Sequence, residues 1–144
     1  MALSVAIPQA ESVQNWTLVP SAAYTSSDTA GPWLCDFFSS EGITVAVTTC
    51  SGTLSVYLQK LLPDNATYSD IAAFSQYTTA VYTTTGTKTL NFVNGGNTLV
   101  TDTDAALAAN TVQTVHFGSQ QRIKFVIAGT GATVTFGVFG NFRA

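Results

Sequence analysis

Residues 122–143, RIKFVIAGTGATVTFGVFGNFR, decide the fold class that the sequence predicts. Apolar residues occupy every second position on both sides of Gly129-Thr130-Gly131: Ile123, Phe125 and Ile127 before it, and Val134, Phe136 and Val138 after it. Period-2 alternation places the apolar set on one buried face of a strand. The stretch therefore predicts a β-hairpin that turns at the two glycines.

Two further hairpins are predicted upstream. One joins residues 42–50 to 54–59 through Ser51-Gly52, and the other joins 77–84 to 87–93 through Thr85-Gly86. The remaining elements are strands at 33–38 and 112–117, a strand or helical turn at 68–74, and a short helix at 102–110. The sequence thus predicts an all-β protein, an antiparallel β-sandwich or small β-barrel of about eight strands.

The N-terminal segment reads as an extended arm. Two short alternating runs end at Pro8 and Pro20, and residues 20–32, PSAAYTSSDTAGP, have the composition of a linker. We therefore divide the chain into an arm and linker, residues 1–32, and a β-sandwich or barrel domain, residues 33–144. The arm offers apolar residues for contact with another chain, and the predicted interface residues are Leu3, Val5, Ile7, Trp16 and Leu18.

Charge is scarce throughout the chain. Charged residues make up 9% of the sequence, whereas an average soluble domain has about 25%. A surface with so few ionic groups favours assembly over a free monomer. The net charge of −3 and the five cations argue against nucleic acid and anionic membranes as partners. No apolar run is long enough to span a bilayer, and the N-terminus lacks signal-peptide features, which predicts synthesis in the cytoplasm.

The residues that could carry chemistry form no recognisable catalytic pattern. His116 is the sole histidine, and Asp102 and Asp104 suit a helix N-terminus better than a calcium loop. Cys35 and Cys50 are expected to be unpaired buried thiols. No catalytic residue, metal site or cofactor is predicted.

Aromatic residues leave two interpretations besides core packing. They could stack on sugars or fill subunit interfaces. The candidates are Trp16, Trp33, Tyr24, Tyr57, Tyr77 and Tyr82.

Several short motifs in the last two-thirds of the chain resemble those of a known class of proteins. They are SGTL at 51–54, TYSDI at 67–71, TGTKTL at 85–90, RIKF at 122–125 and GATVTF at 131–136. This pattern is similar to small structural proteins of tailed bacteriophage virions, and a chain of this size most resembles head decoration proteins. The resemblance implies an oligomer, often a trimer, on the outer capsid surface, bound to the major capsid protein.

The functional hypothesis is therefore a non-enzymatic capsid decoration protein that stabilises the particle by bridging capsid subunits. Two alternatives stay open: a carbohydrate-binding β-sandwich module on a virion or cell surface, and a phage tail or head-completion protein.

Overall fold

A computed structural model describes residues 13–35, 38–74, 76–79, 86–93, 108–112 and 117–144. These residues form an antiparallel sheet of eight strands, which confirms the all-β prediction. The strands are β1 Val13–Tyr24, β2 Asp28–Leu34, β3 Ser40–Leu61, β4 Tyr68–Ala73, β5 Tyr77–Thr78, β6 Thr87–Val93, β7 Thr111–Val112 and β8 Gln120–Arg143. No helix in the described part of the chain has the length and apolarity needed to cross a membrane.

Two long strands, β3 and β8, organise the fold. They have 22 and 24 residues and pair from Ser40 opposite Arg143 to Lys60 opposite Gln121. The first two predicted hairpins are therefore wrong, because each is one continuous strand. Both strands bend at the same level, where the register shifts between Ser51 and Thr53 and where glycines such as Gly52 and Gly129 adopt positive φ values. The alternation of apolar and polar residues shows which face of the sheet a residue occupies. It is the same in a hairpin and in a bent strand, so it could not distinguish the two.

The bend divides the sheet into two layers. In the first layer, β1 and β6 flank residues 132–143 of β8 and residues 40–51 of β3. In the second, the other halves of β3 and β8 pair with β2, β4 and β5, while β7 pairs with β4. The rings of Phe125 and Phe136, one from each layer, lie 5.1 Å apart, and Tyr24 contacts both. The layers therefore face each other as a β-sandwich.

The core is built from the residues that alternation selects. The following are buried: Ile43, Val45, Val47, Leu54, Val56, Leu58, Ile123, Phe125, Val134, Phe136 and Val138. Ile127 is half-buried against them. The inward faces predicted from the sequence are thus correct even where the predicted connections are wrong.

The N-terminal region differs from the predicted linker. Residues 20–24 continue β1, residues 28–34 form β2, and both strands pair with β8 in the same sheet as the rest of the fold. Pro20 is accommodated because β1 lies at the edge of the sheet order and shifts register between Val19 and Ala22. The strand predicted at 33–38 is also wrong, since β2 ends at Leu34.

The other predictions are met in part. Of the two alternatives for 68–74, the strand is correct, as β4, and the strand at 87–93 is confirmed as β6. The described parts of the third hairpin, β5 and β6, each pair with β3 and not with each other. Residues 80–85 of the third hairpin lie outside the described residues, as do Leu3, Val5, Ile7, Tyr82, Asp102, Asp104 and His116. Of the predicted helix only 108–110 is described, and it includes a turn at Ala109 and Asn110.

Candidate functional site

A groove on the outer face of the first layer is the candidate site. It has a volume of about 390 Å³, within the range of small-molecule sites. We call it the amide–hydroxyl groove, after the side chains that line it. Its lining residues are Asn15, Trp16, Thr17, Gly42, Thr44, Thr89, Asn91, Phe139, Gly140 and Asn141. None of them is charged.

Strand register assembles the groove from four separate segments. One row crosses β1, β8, β3 and β6 through residues that pair directly: Asn15, Asn141, Gly42 and Asn91. The next row in the same order contains Thr17, Phe139, Thr44 and Thr89. Residues two apart on a strand share a face, so both rows lie on the same side of the layer. Trp16 and Gly140 fall between the rows, and the Trp16 ring turns to the core.

A glycine opens the space between two amides. Gly42 lies between Asn141 and Asn91 in the first row and has no side chain to fill it. A Cβ atom there would fall 2.7 Å from Oδ1 of Asn91, so that amide leans over the glycine. The space above Gly42 is therefore occupied in part by the Asn91 side chain, which a larger residue at position 42 would displace.

Phe139 supplies the apolar wall of the groove. It is one of the exposed large hydrophobic residues of the described chain, with 36% of its surface accessible. Its ring lies near the backbone of Gly137, where a Cβ atom would fall 3.0 Å from its Cζ atom. The ring thus leans along β8 over Gly137, and part of its surface is accessible.

The polar side chains are partly paired with one another. Asn141 Nδ2 donates to Asn15 Oδ1 at 2.6 Å, and the hydroxyls of Thr44 and Thr89 share a hydrogen bond of 2.7 Å. Arg143, two residues further along β8 and in the neighbouring row, donates from Nε to Asn141 Oδ1 at 3.3 Å. The side-chain amide of Asn91 has no hydrogen-bond partner among the described residues. The amino group of Asn15 and both polar atoms of Asn91 are therefore available to a ligand.

Comparisons with known proteins assign no family. No protein-family model matches the chain, and no curated protein matches it. Among solved structures, the chain is similar to PirA, with 12% identity and a TM-score of 0.36, over 92% of this chain and 94% of that one. It is also similar to the infectious bursal disease virus VP2 subviral particle, with 14% identity and a TM-score of 0.32. That match covers 91% of this chain and 40% of the VP2 chain. The function is therefore inferred from the residues of the chain itself.

Two of the residues predicted for an interface are described. Trp16 and Leu18 lie on β1, half-buried, and pack against the core. The Trp16 ring contacts Phe38 at 5.6 Å and Phe142 at 4.7 Å. Both side chains therefore support the fold of their own chain, and contact with another chain stays a prediction.

Sequence reasoning missed Phe139 as a candidate ligand contact. The aromatic candidates from the sequence were tryptophans and tyrosines, of which Tyr77 is fully buried and Tyr24 packs in the core. The signal was present, because Val138 belongs to the inward set and its neighbour must then point outward. What the sequence could not supply is the set of amides from β1 and β6 that surrounds the ring.

The described carboxylates are engaged in structural hydrogen bonds. Asp64 accepts from the hydroxyl of Thr67 and from the backbone N–H groups of Thr67 and Ala66, and these bonds hold its pKa below the ordinary value. Asp28 accepts from the backbone of Thr29. Asp70 accepts from Gln59 and Glu41 accepts from Gln121. Among the described residues, no three His, Cys, Asp or Glu side chains are grouped to hold a metal ion.

Proposed function

We propose that this chain is a non-enzymatic structural protein that decorates and stabilises a bacteriophage capsid by bridging neighbouring capsid subunits. The observation that carries the proposal is the open, uncharged edge of β1. Among the described strands β1 pairs with β8 alone, and its sequence VQNWTLVPSAAY contains no charged residue. The resemblance of the short motifs between residues 51 and 136 to those of phage virion structural proteins supports the same role.

An unprotected edge strand is a surface for pairing with another chain. Natural proteins usually protect such edges with charges, prolines or bulges. The second half of β1 has Pro20 and two register shifts, whereas Val13–Thr17 pairs regularly with β8. The regular half therefore offers backbone donors and acceptors to a strand from a neighbouring subunit.

The segment that precedes this edge has the composition to bind a neighbour. Leu3, Val5 and Ile7 alternate in sequence, so in an extended conformation they would present one apolar face. Burial of each side chain is worth about 1.5–3 kcal/mol before ordering costs. Repetition over a capsid lattice multiplies weak contacts through avidity. The partners are then other copies of this chain and the major capsid protein, and the location is the capsid surface.

Deletion of residues 1–12 tests the arm. The cut ends before β1, which keeps the buried Val19 and the pairing with β8. We expect capsid binding to weaken at least tenfold, while thermal unfolding stays close to that of the full chain. A matched variant that replaces Leu3, Val5 and Ile7 by serine keeps the chain length and should behave in the same way. Undiminished capsid affinity of both variants would refute the arm hypothesis.

Copy number separates this role from a tail or head-completion protein. A decoration protein occupies many equivalent lattice positions, whereas a completion protein occupies few. Quantitative mass spectrometry of purified particles measures the ratio to the major capsid protein. Sedimentation velocity over a wide concentration range should show a homo-oligomer, with a trimer expected; a monomer both free and on the particle would contradict it.

A further inference from the structure

We propose that the amide–hydroxyl groove binds a neutral oligosaccharide. This proposal concerns side chains on the outer face of the first layer, whereas the capsid role uses the backbone edge of β1; both involve residues of the segment Val13–Thr17. It rests on the chemistry of the side chains that four strands bring together there.

The absence of charge among the lining residues selects the ligand class. Phosphate, sulfate and carboxylate groups require cations or clustered backbone donors. Arg143 lies in the next row of the same face, outside the lining residues, and its Nε donates to Asn141. A neutral ligand rich in hydroxyl groups matches a surface of carboxamides and hydroxyls, because each ligand hydroxyl both donates and accepts.

Phe139 favours a sugar over a simple polyol. A pyranose ring has a face of C–H groups with partial positive charge, and the face of an aromatic ring is negative. The ring of Phe139 is partly exposed and flanked in its row by Thr17 and Thr44. A sugar that stacks on this ring lies beside the hydroxyls of Thr17 and Thr44, one row away from the amides. This combination of one apolar wall and several polar groups is typical of small-molecule sites.

The length of the groove favours an oligosaccharide over a monosaccharide. Adjacent strands are about 4.8 Å apart, so the span from β1 to β6 across four strands is roughly 14 Å. Hydrogen-bonding groups without a partner among the described residues lie on Asn15 at the β1 end and on Asn91, whose side chain extends from β6 over Gly42. One sugar ring on Phe139 cannot reach both ends.

The test is binding of neutral hexasaccharides to the full-length chain. Cellohexaose, maltohexaose, xylohexaose and chitohexaose are titrated while tryptophan fluorescence and amide chemical shifts are recorded. We expect at least one to bind with a dissociation constant in the micromolar to millimolar range, with shifts concentrated on the strands of the first layer. Heparin hexasaccharide should bind no more tightly than the neutral ligands.

Matched variants locate the site. Phe139→Ala and Asn91→Ala should each weaken binding about tenfold, which corresponds to the loss of one stacking or hydrogen-bonding contact. Leu34→Ala and Gln76→Ala remove an exposed apolar and an exposed amide side chain of the second layer, and should leave affinity unchanged. Circular dichroism confirms folding of each variant.

Three results would overturn the proposal. They are the absence of binding to every neutral hexasaccharide at millimolar concentration, equal affinity of the wild type and the two groove variants, and preferential binding of the anionic ligand. Loss of capsid binding on deletion of residues 1–12 with intact sugar binding would separate this site from the capsid role.

Discussion

Gln121 donates a hydrogen bond of 2.6 Å from Nε2 to Oε1 of Glu41, and both side chains are almost completely buried. The other two oxygens of the pair, Glu41 Oε2 and Gln121 Oε1, are buried without a partner among the described residues. Both of these oxygens are hydrogen-bond acceptors, so they can form a hydrogen bond with each other only if the Glu41 carboxyl group carries a proton. Burial raises the pKa of Glu41 to about 8, although the hydrogen bond from Gln121 acts in the opposite direction. A protonated Glu41 would therefore complete the pair at neutral pH.

Stability should fall as pH rises between 4.5 and 8 because of Glu41. In this window the unfolded chain has an ionised Glu41 and the folded chain a neutral one, so folding takes up a proton. The free energy of unfolding should fall by on the order of 1 kcal/mol for each pH unit within the window. Glu41→Gln should remove this dependence. Urea unfolding of both proteins across the window measures it, and equal slopes would show that Glu41 ionises normally.

Gly52→Ala should destabilise the protein by about 2–4 kcal/mol. Gly52 has a φ of +89°, and a Cβ atom would fall 2.5 Å from the carbonyl oxygen of Ala128 and 2.7 Å from Cβ of Ala132. Gly131→Ala is the matched control, since its φ is +64° but nothing lies within 4 Å. It should cost only about 1–2 kcal/mol. Equal losses in urea unfolding would mean that the bend tolerates a side chain.

Gln59→Ala should destabilise the protein by about 2–3 kcal/mol. Its Nε2 donates to Asp70 Oδ1 at 2.7 Å, and its Oε1 accepts from Arg122 Nε at 2.8 Å. The Arg122 guanidinium also stacks 3.8 Å above the ring of Tyr68. Gln76→Ala, an exposed amide with one contact of 3.5 Å, should change stability by less than about 0.5 kcal/mol. Calorimetry measures the stability of the two variants. An unchanged stability of Gln59→Ala would contradict a role for Gln59 in linking Asp70 to Arg122.

Cys35 and Cys50 should react with thiol reagents only after unfolding. Both are buried thiols in the reduced state, and burial raises the pKa of the Cys50 thiol, so little thiolate is available. Their Sγ atoms contact different carbonyl groups, those of Phe117 and Gly118 for Cys35 and those of Gly52 and Tyr77 for Cys50. Ellman titration should find no fast thiol in the native protein and two in denaturant. One rapid native thiol would indicate local opening.

Local alternation in the sequence was sufficient for the fold class and the core. The inward positions of 43–47, 54–58, 123–125 and 134–138 follow from a period of two, which any strand imposes on its own residues. The same signal could have marked Phe139 as outward. These properties depend only on neighbours in the chain.

Tertiary structure decided the connections and the site. Glycines at 52 and 129 are compatible with a hairpin turn or with a bend in a long strand, and the pairing of β3 with β8 selects the bend. The amide–hydroxyl groove depends on the register that places Asn15, Asn141, Gly42 and Asn91 in one row. Register is set by contacts between segments far apart in sequence, and a period of two within each segment contains no information about it.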